Sequence, residues 1–241
     1  MNPALAFKAE VVLGFQLVSR HRAPRLAAVM GASLVALLVT GDATGPTLQD
    51  GRRALLLIAG TLASVAASRL LARGGPLAAF RQTAAPWPLA PAGRLAGGML
   101  LVAPLVLASG IALVGRQGGA FQAFRSTAVA ILSAAAVAAA VMALTPLLGA
   151  SASAALGLVA ALAGGALPSQ VGLLLQAWPL ARAPLVMCWN VLPLSWRAAR
   201  WLAEGGVGDL AWLTAWLLFG LAAAEWAATR RVGGAAAGAS G

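Results

Sequence analysis

Few residues in this 241-residue chain could do acid–base, nucleophilic or metal chemistry. His21 is the only histidine and Cys188 the only cysteine, which excludes a His-rich metal site, an intramembrane Ser-His dyad and an internal disulfide. Lys8 is the only lysine, and it does not follow the Gly-rich run that a Walker A ATP-binding loop requires. We therefore expect no enzyme activity and no cofactor bound by this chain.

One acidic residue, Glu225, falls inside a long apolar run. An ionisable residue within a membrane span indicates function by default, because charge is costly in lipid. Glu225 lies close to the end of its run, within reach of Arg230 or Arg231. The sequence therefore favours an ion pair at the membrane interface over a functional acid.

The composition predicts an all-α, polytopic membrane protein. Hydrophobic residues make up 61% of the chain and charged residues 10%, too little polar surface to cover a soluble globule. A helix needs about 20 apolar residues to cross a bilayer, and six runs approach that length within one membrane domain, residues 1–231. The predicted spans are about 26–40, 54–71, 95–115, 126–148, 154–175 and 210–228.

The basic residues lie between the apolar runs, although the net charge of +11 would suggest a nucleic-acid partner in a soluble protein. Their positions indicate topology and contact with anionic membrane lipid, and no binding of nucleic acid. More of them fall on the side of the two termini and of the polar interruption at Arg69 to Arg94. The positive-inside rule therefore places both termini in the cytoplasm, with 232–241 as a flexible tail.

Two segments are predicted to be helical without crossing the membrane. Residues 3–20 are apolar but interrupted by polar side chains, which favours an interfacial helix along the cytoplasmic leaflet or, alternatively, a helix that merely touches lipid. Residues 176–209 carry prolines and tryptophans, which indicates short re-entrant helices before the last span. The tryptophans expected at the outer interface are Trp178, Trp189, Trp196 and Trp201.

Small residues recur at four-residue spacing in the fifth predicted span, at Ser153, Gly157, Ala161 and Gly165. Small side chains on one helix face allow two backbones to approach closely in lipid, where hydrophobicity does not drive association. The pattern predicts packing against a neighbouring helix of the same subunit. A seam between two subunits is the second alternative.

Two segments resemble a known family. QTAAPWPLAPAGRLAGGMLLVAPL, from Gln82 to Leu105, combines a short loop helix, a proline and a Gly-containing start of a span. NVLPLSWRAARWLAEGGVGDLAWLTAWLLFGLAAAEWAATRR, from Asn190 to Arg231, combines a proline-bearing segment, a helix, a Gly break and a span that closes on basic residues. With the interfacial helix and six spans, the chain resembles the permease subunits of ABC-2 type exporters.

The resemblance implies the membrane half of an ATP-driven exporter in a bacterial-type cytoplasmic (inner) membrane. Such a permease works as a dimer with a second permease chain and with separate ATPase subunits, which bind the ATP and Mg²⁺. It also implies a loop helix at about Pro76 to Ala85 that docks on the ATPase. The family often has acidic residues ahead of this helix, whereas Arg69 to Arg94 contains none. The expected coupling residues are Leu77, Phe80, Arg81, Gln82 and Trp87.

A path between Ala-rich spans would be apolar, which suits lipidic, amphiphilic or drug-like cargo better than a small ion. Two other functions fit the same pattern. The haem-exporter B subunit of cytochrome c maturation has a similar six-span architecture. A non-transporting scaffold or assembly subunit of a larger complex would use the tryptophan-rich segment to bind its partner.

Overall fold

The protein is all-α over the part of the chain that its computed structural model describes. That part comprises residues 2–22, 24–29, 31–32, 48–71, 89–112, 119–193 and 195–238. No strand occurs in these ranges, so the all-α prediction is confirmed for them. In chain order the helices are Pro3–Ser19 (α1), Leu48–Leu70 (α2), Leu89–Ala112 (α3), Ala120–Leu148 (α4), Ala150–Ala163 (α5), Pro168–Leu174 (α6), Pro179–Val191 (α7), Ser195–Glu204 (α8) and Val207–Gly238 (α9).

Three of the described helices are long and apolar enough to cross a membrane: α3, α4 and α9. The pair α5 and α6 passes the same test when taken together, but it is bent by 100° at a short break, as in a broken span or a re-entrant loop. The described residues therefore contain three candidate spans, or four with the bent pair. The length and composition of these helices are consistent with a helical membrane protein, but the described residues do not contain the six predicted spans.

The difference between six predicted spans and three candidate spans comes from the other three predicted runs. Most of the run at about 26–40 lies outside the described residues. The run at about 54–71 forms the end of α2, whose apolar portion, Leu55–Leu70, is shorter than the about 20 residues that cross a bilayer. The run at about 154–175 is divided between α5 and α6. At the other end of the chain, α9 continues through most of the predicted tail to Gly238.

Helix α4 is the centre of the fold, because α2, α3, α5 and α9 all pack against it. Its sequence is rich in alanine, and most of these alanines are buried. Small side chains bring neighbouring backbones close: a Cβ atom at Gly220 of α9 would lie 2.8 Å from the carbonyl carbon of Ala139. After Leu148, Gly149 adopts a positive φ of 87°, and α5 begins at the next residue. The chain thus reverses through one residue that favours glycine.

Helix α5 packs against α2 through small residues on both helices. A Cβ atom at Gly157 would meet the Ser64 side chain at 2.7 Å, and a Cβ atom at Gly60 would lie 3.1 Å from the Cβ of Ala161. Ser153, one turn before Gly157, is also buried. The small-residue face of α5 therefore lies against a helix of the same chain. Its last predicted member, Gly165, lies beyond the end of α5 and is exposed.

Helix α1 packs along α3 at very short distance. Asn2 caps α1, its Oδ1 accepting a hydrogen bond from the Ala4 amide at 3.0 Å. The face buried against α3 repeats every fourth residue, at Ala6, Glu10, Gly14 and Val18. Glycines on both helices remove the side chains that would keep the backbones apart: a Cβ atom at Gly97 would meet the Val11 carbonyl oxygen and lie 2.7 Å from the Phe15 amide nitrogen. The helix predicted to lie on lipid therefore has one face covered by protein.

A buried ion pair joins α1 to the first turns of α3. Arg94 Nε donates to Glu10 Oε2 at 2.7 Å, and the two residues are 7% and 1% exposed. A buried carboxylate requires such a partner, because transfer of an unpaired charge out of water is strongly unfavourable. Arg94, which the sequence indicates only as the end of the polar interruption, is thus a packing residue.

Candidate functional site: an apolar cavity at a helix break

The break between α5 and α6 is held by hydrogen bonds from other elements. Pro168 opens α6, where its missing N–H costs nothing. The Ala166 carbonyl accepts from the Trp189 indole at 2.9 Å, and the Gly164 carbonyl accepts from the Trp196 amide at 2.8 Å. Non-helical backbone at membrane depth is tolerated only where its polar groups are satisfied within the protein. These bonds provide two such partners.

A cavity of about 650 Å³ lies beside this break, between α2, α5, α6, α7 and α8. Its volume is in the range of small-molecule sites, which is about 300–1,000 Å³. None of the described residues that line it is charged, and its few polar side chains include Gln170, Trp189 and Ser195. Gln170 and Trp189 are already used in hydrogen bonds at the break. The main apolar lining residues are Leu56, Leu57, Leu162, Val171, Leu174 and Leu185.

Indole groups also fix the end of α7, which forms one wall of the cavity. The carbonyl of Val191 accepts from the indoles of Trp212 and Trp216 on α9, at 3.2 and 2.6 Å. The Trp196 indole donates to the Trp189 carbonyl at 3.4 Å. Four tryptophans therefore donate from the indole to a backbone carbonyl: Trp189, Trp196, Trp212 and Trp216.

An arginine–aspartate cluster lies next to this wall, at the junction of α8 and α9. Asp209 is 3% exposed and accepts from Arg197 at 3.2 Å and from Arg200 at 2.6 Å. Arg197 also donates to the Asn190 carbonyl at 2.5 Å and lies 4.7 Å from the Trp196 ring centroid. The hydrogen bond to Asp209 raises the pKa of Arg200 above its ordinary value. The cluster therefore joins α7, α8 and α9.

The cavity brings together residues from two separate predictions. Ala161 and Gly165, expected only to pack against a helix, line it together with Trp189, which was expected at an interface. Trp196 is buried behind it. Trp178 is 68% exposed at the start of α7, and Trp201 stacks on Arg125, whose Cζ lies 4.2 Å from the ring centroid.

Several functional predictions fall on residues about which the structure gives no description. The five coupling residues, Leu77, Phe80, Arg81, Gln82 and Trp87, all lie in the range 72–88, outside the described residues. The side chains of Arg230 and Arg231, predicted partners of Glu225, are not described either. Within the described ranges, no group of three or more His, Cys, Asp or Glu residues could hold a metal ion.

Sequence inspection missed the ion pair of Glu10 and Arg94, the Asp209 cluster and most of the cavity lining. The sequence does contain a signal for the ion pair and for the Asp209 cluster, because Glu10 and Asp209 both occur in apolar surroundings. An acid in such a position needs a cation, which an arginine elsewhere in the chain can provide. The lining residues carry no such signal, since Leu56 or Leu185 resembles any other apolar residue of the chain.

Replacing Trp189 with phenylalanine is expected to lower the free energy of unfolding by about 1–2 kcal/mol. The change leaves the partly buried Ala166 carbonyl at the helix break without its indole donor. The measurement is unfolding of the purified protein in mixed detergent micelles. Trp178→Phe is the matched control, because no hydrogen bond links its exposed indole to a described residue, and its effect is expected within about 0.5 kcal/mol. Equal effects of the two changes would contradict the role given to Trp189.

No protein-family model, no curated protein and no solved structure matches the chain.

Proposed function

We propose that this chain is the membrane-spanning permease subunit of an ATP-driven exporter of the ABC-2 type, moving an amphiphilic, lipidic or drug-like cargo. The observation that carries the proposal is the cavity of about 650 Å³ beside the break between α5 and α6. Because none of its described lining residues is charged, the site suits the apolar part of such a molecule better than it suits a small ion.

In this proposal ATP is bound and hydrolysed by other subunits and not by this chain. Separate ATPase subunits bind ATP and Mg²⁺, and a second permease chain completes the dimer. The coupling segment at about Pro76 to Ala85 lies between α2 and α3 in the sequence. Arg94 follows that segment closely and is paired with Glu10. A force on the segment would therefore move α3 and α1 together, because their backbones are in direct contact.

The proposal also requires more membrane crossings than the described helices provide. The two additional spans would be the run at about 26–40 and α2, with the bent pair α5 and α6 as a third crossing of irregular form. Both termini would then lie in the cytoplasm of a bacterial-type cell, at its inner membrane. Labelling of single introduced cysteines from each side of the membrane measures this topology; termini on opposite sides would contradict it.

The decisive experiment is purification of the full chain from its native membrane in a mild detergent. We expect an ATPase subunit with a Walker A sequence to copurify with it, and the ATPase activity of the complex to respond to lipid-like compounds. Recovery of intact permease with no such subunit would overturn the exporter function. Recovery within a larger assembly that lacks an ATPase would support a scaffold in its place.

Filling the cavity is expected to weaken binding of apolar ligands. Ala163 lies in its lining, so Ala163→Trp puts an indole into the space that a ligand would use. We expect about fivefold weaker binding of the apolar fluorophore N-phenylnaphthylamine to the purified protein. The control is Ala155→Trp on the same helix, which is exposed outside the cavity lining and should leave binding unchanged. Unchanged binding in Ala163→Trp would show that the ligand lies elsewhere.

A further inference from the structure

A second groove lies between α6 and α7. It has a volume of about 590 Å³. Helix α6 contributes an apolar wall with Leu173, and α7 contributes Arg182 and Val186. The groove shares no lining residue with the cavity described above.

Arg182 is the charged residue of this groove, and it is exposed. Its guanidinium forms no hydrogen bond or ion pair with any residue that the structure describes. It lies across Gly172, where a Cβ atom would be 3.7 Å from Arg182 Nε. Among the residues that the structure describes, no acid lines the groove, so an anion that enters it meets the positive charge of Arg182 and no acidic neighbour.

Exposed apolar side chains occur in the groove, at Leu173, and elsewhere along α7. Leu180 is 95% exposed, and Leu173, Met187 and Trp178 are also largely exposed. An exposed apolar surface of this kind marks contact with another molecule or with a membrane, and tryptophan favours the level of the lipid headgroups. Arginine beside such a surface is suited to phosphate, which it binds with two parallel hydrogen bonds.

We propose that the groove between α6 and α7 binds one anionic phospholipid, with the phosphate on Arg182 and the acyl chains along Leu173 and Val186. The lipid is favoured over free phosphate because the charge adjoins apolar surface that only acyl chains would cover. A zwitterionic phospholipid fits less well, since the described lining residues include no acid to pair with its ammonium group. The proposal is independent of any ATPase, so it can fail or hold separately from the exporter function.

The test is native mass spectrometry of the full chain, purified in detergent and titrated with phosphatidylglycerol. We expect Arg182→Gln to weaken the tightest bound lipid by about tenfold, the loss of one charge-assisted interaction. Gly172→Leu keeps the charge but occupies the groove, and it is expected to have the same effect. Arg22→Gln is the matched control, because Arg22 is exposed in another part of the chain. Wild-type affinity in both groove variants would overturn the proposal.

Two further arms separate the possible ligands. Phosphatidylcholine with the same acyl chains is expected to bind more weakly than phosphatidylglycerol, and inorganic phosphate is expected not to displace the lipid at equal concentration. Displacement by phosphate would show an anion site in place of a lipid site, against the proposal.

The chain also provides a probe that needs no groove variant. Its one cysteine, Cys188, is exposed on α7, so a bimane label there reports on lipid near the groove. In vesicles of phosphatidylcholine, added brominated phosphatidylglycerol is expected to quench the label more than brominated phosphatidylcholine in equal amount. Equal quenching by the two lipids would overturn the proposal, even if Arg182→Gln failed to fold.

Discussion

Replacing Glu10 with leucine is expected to lower the free energy of unfolding by about 3–5 kcal/mol, the cost of removing one partner from a buried ion pair. The change leaves the Arg94 guanidinium enclosed between α1 and α3 without the carboxylate that it contacts at 2.7 Å. The Arg94 guanidinium cannot readily reach water, because α1 and α3 pack closely against each other at their glycines. Unfolding in mixed detergent micelles, followed by tryptophan fluorescence, measures the loss.

Lys8→Leu is the control for this prediction. Lys8 lies on the exposed side of the same helix, so its replacement removes a charge without uncovering a buried partner. Its effect is expected within about 0.5 kcal/mol. An equal loss of unfolding free energy in Glu10→Leu and Lys8→Leu would mean that any substitution in α1 destabilises the protein, and that the ion pair has no specific effect.

The double variant Glu10→Leu, Arg94→Leu separates the pair from the packing around it. An apolar replacement of both partners removes the unpaired charge, and such replacements of buried ion pairs are often neutral. We therefore expect the double variant to be more stable than Glu10→Leu alone. Additive losses, as for two distant sites, would contradict a direct interaction between the two side chains.

Replacing Asp209 with alanine is expected to cost about 2–4 kcal/mol, the second large effect in this molecule. Asp209 is buried between Arg197 and Arg200, and its removal leaves two guanidinium groups side by side. The cost is less than for Glu10 because the Arg200 side chain is 41% exposed, so water can solvate its charge. Asp209 also lies in the first turn of α9, where a negative charge favours the helix.

The same unfolding assay tests Asp209→Ala, with Glu204→Ala as its matched control. Glu204 is an acid at the end of α8, and it is exposed. Its removal changes the net charge equally but uncovers no buried arginine, so its effect is expected to be within about 0.5 kcal/mol. A loss in Asp209→Ala no larger than in the control would show that the cluster contributes nothing to stability.

Helix α1 shows how far the sequence can predict this fold. The largely apolar composition was enough to predict a helix at 3–20, and the structure contains Pro3–Ser19. The direction of its buried face was not predicted, although Glu10 and Gly14 stand one turn apart on it. A single sequence does not state that the cation for Glu10 is Arg94, because the two are separated by 84 residues and the chain has sixteen arginines.

At the break between α5 and α6 the sequence does contain a local signal for a helix end, but the apolar composition of the run favours one continuous span. Gly164, Gly165 and Pro168 occur together in a run whose apolar composition predicts a continuous span. Proline begins a helix well but disrupts its interior. The structure accordingly ends α5 at Ala163 and starts α6 at Pro168.

The candidate cavity could not be predicted from composition, because it depends on how five helices meet. The sequence predicts Trp189 at an interface and Ala161 at a helix contact. Only the packing of the helices places both residues in the lining of the same cavity. Apolar residues on each helix face are chemically equivalent until the neighbours are known. The predicted coupling segment remains a prediction, since it lies outside the described residues.

The central position of α4 determines the order in which the core can be completed during synthesis. Helices α2 and α3 are made before it, and α5 and α9 after it. Domains fold from the N-terminal end as the chain emerges, so the side of α4 that carries Ala139 stays uncovered until Gly220 has been inserted. A ribosome that stalls between these two residues would leave in the bilayer an incomplete bundle with an open small-residue face, available to the wrong helix.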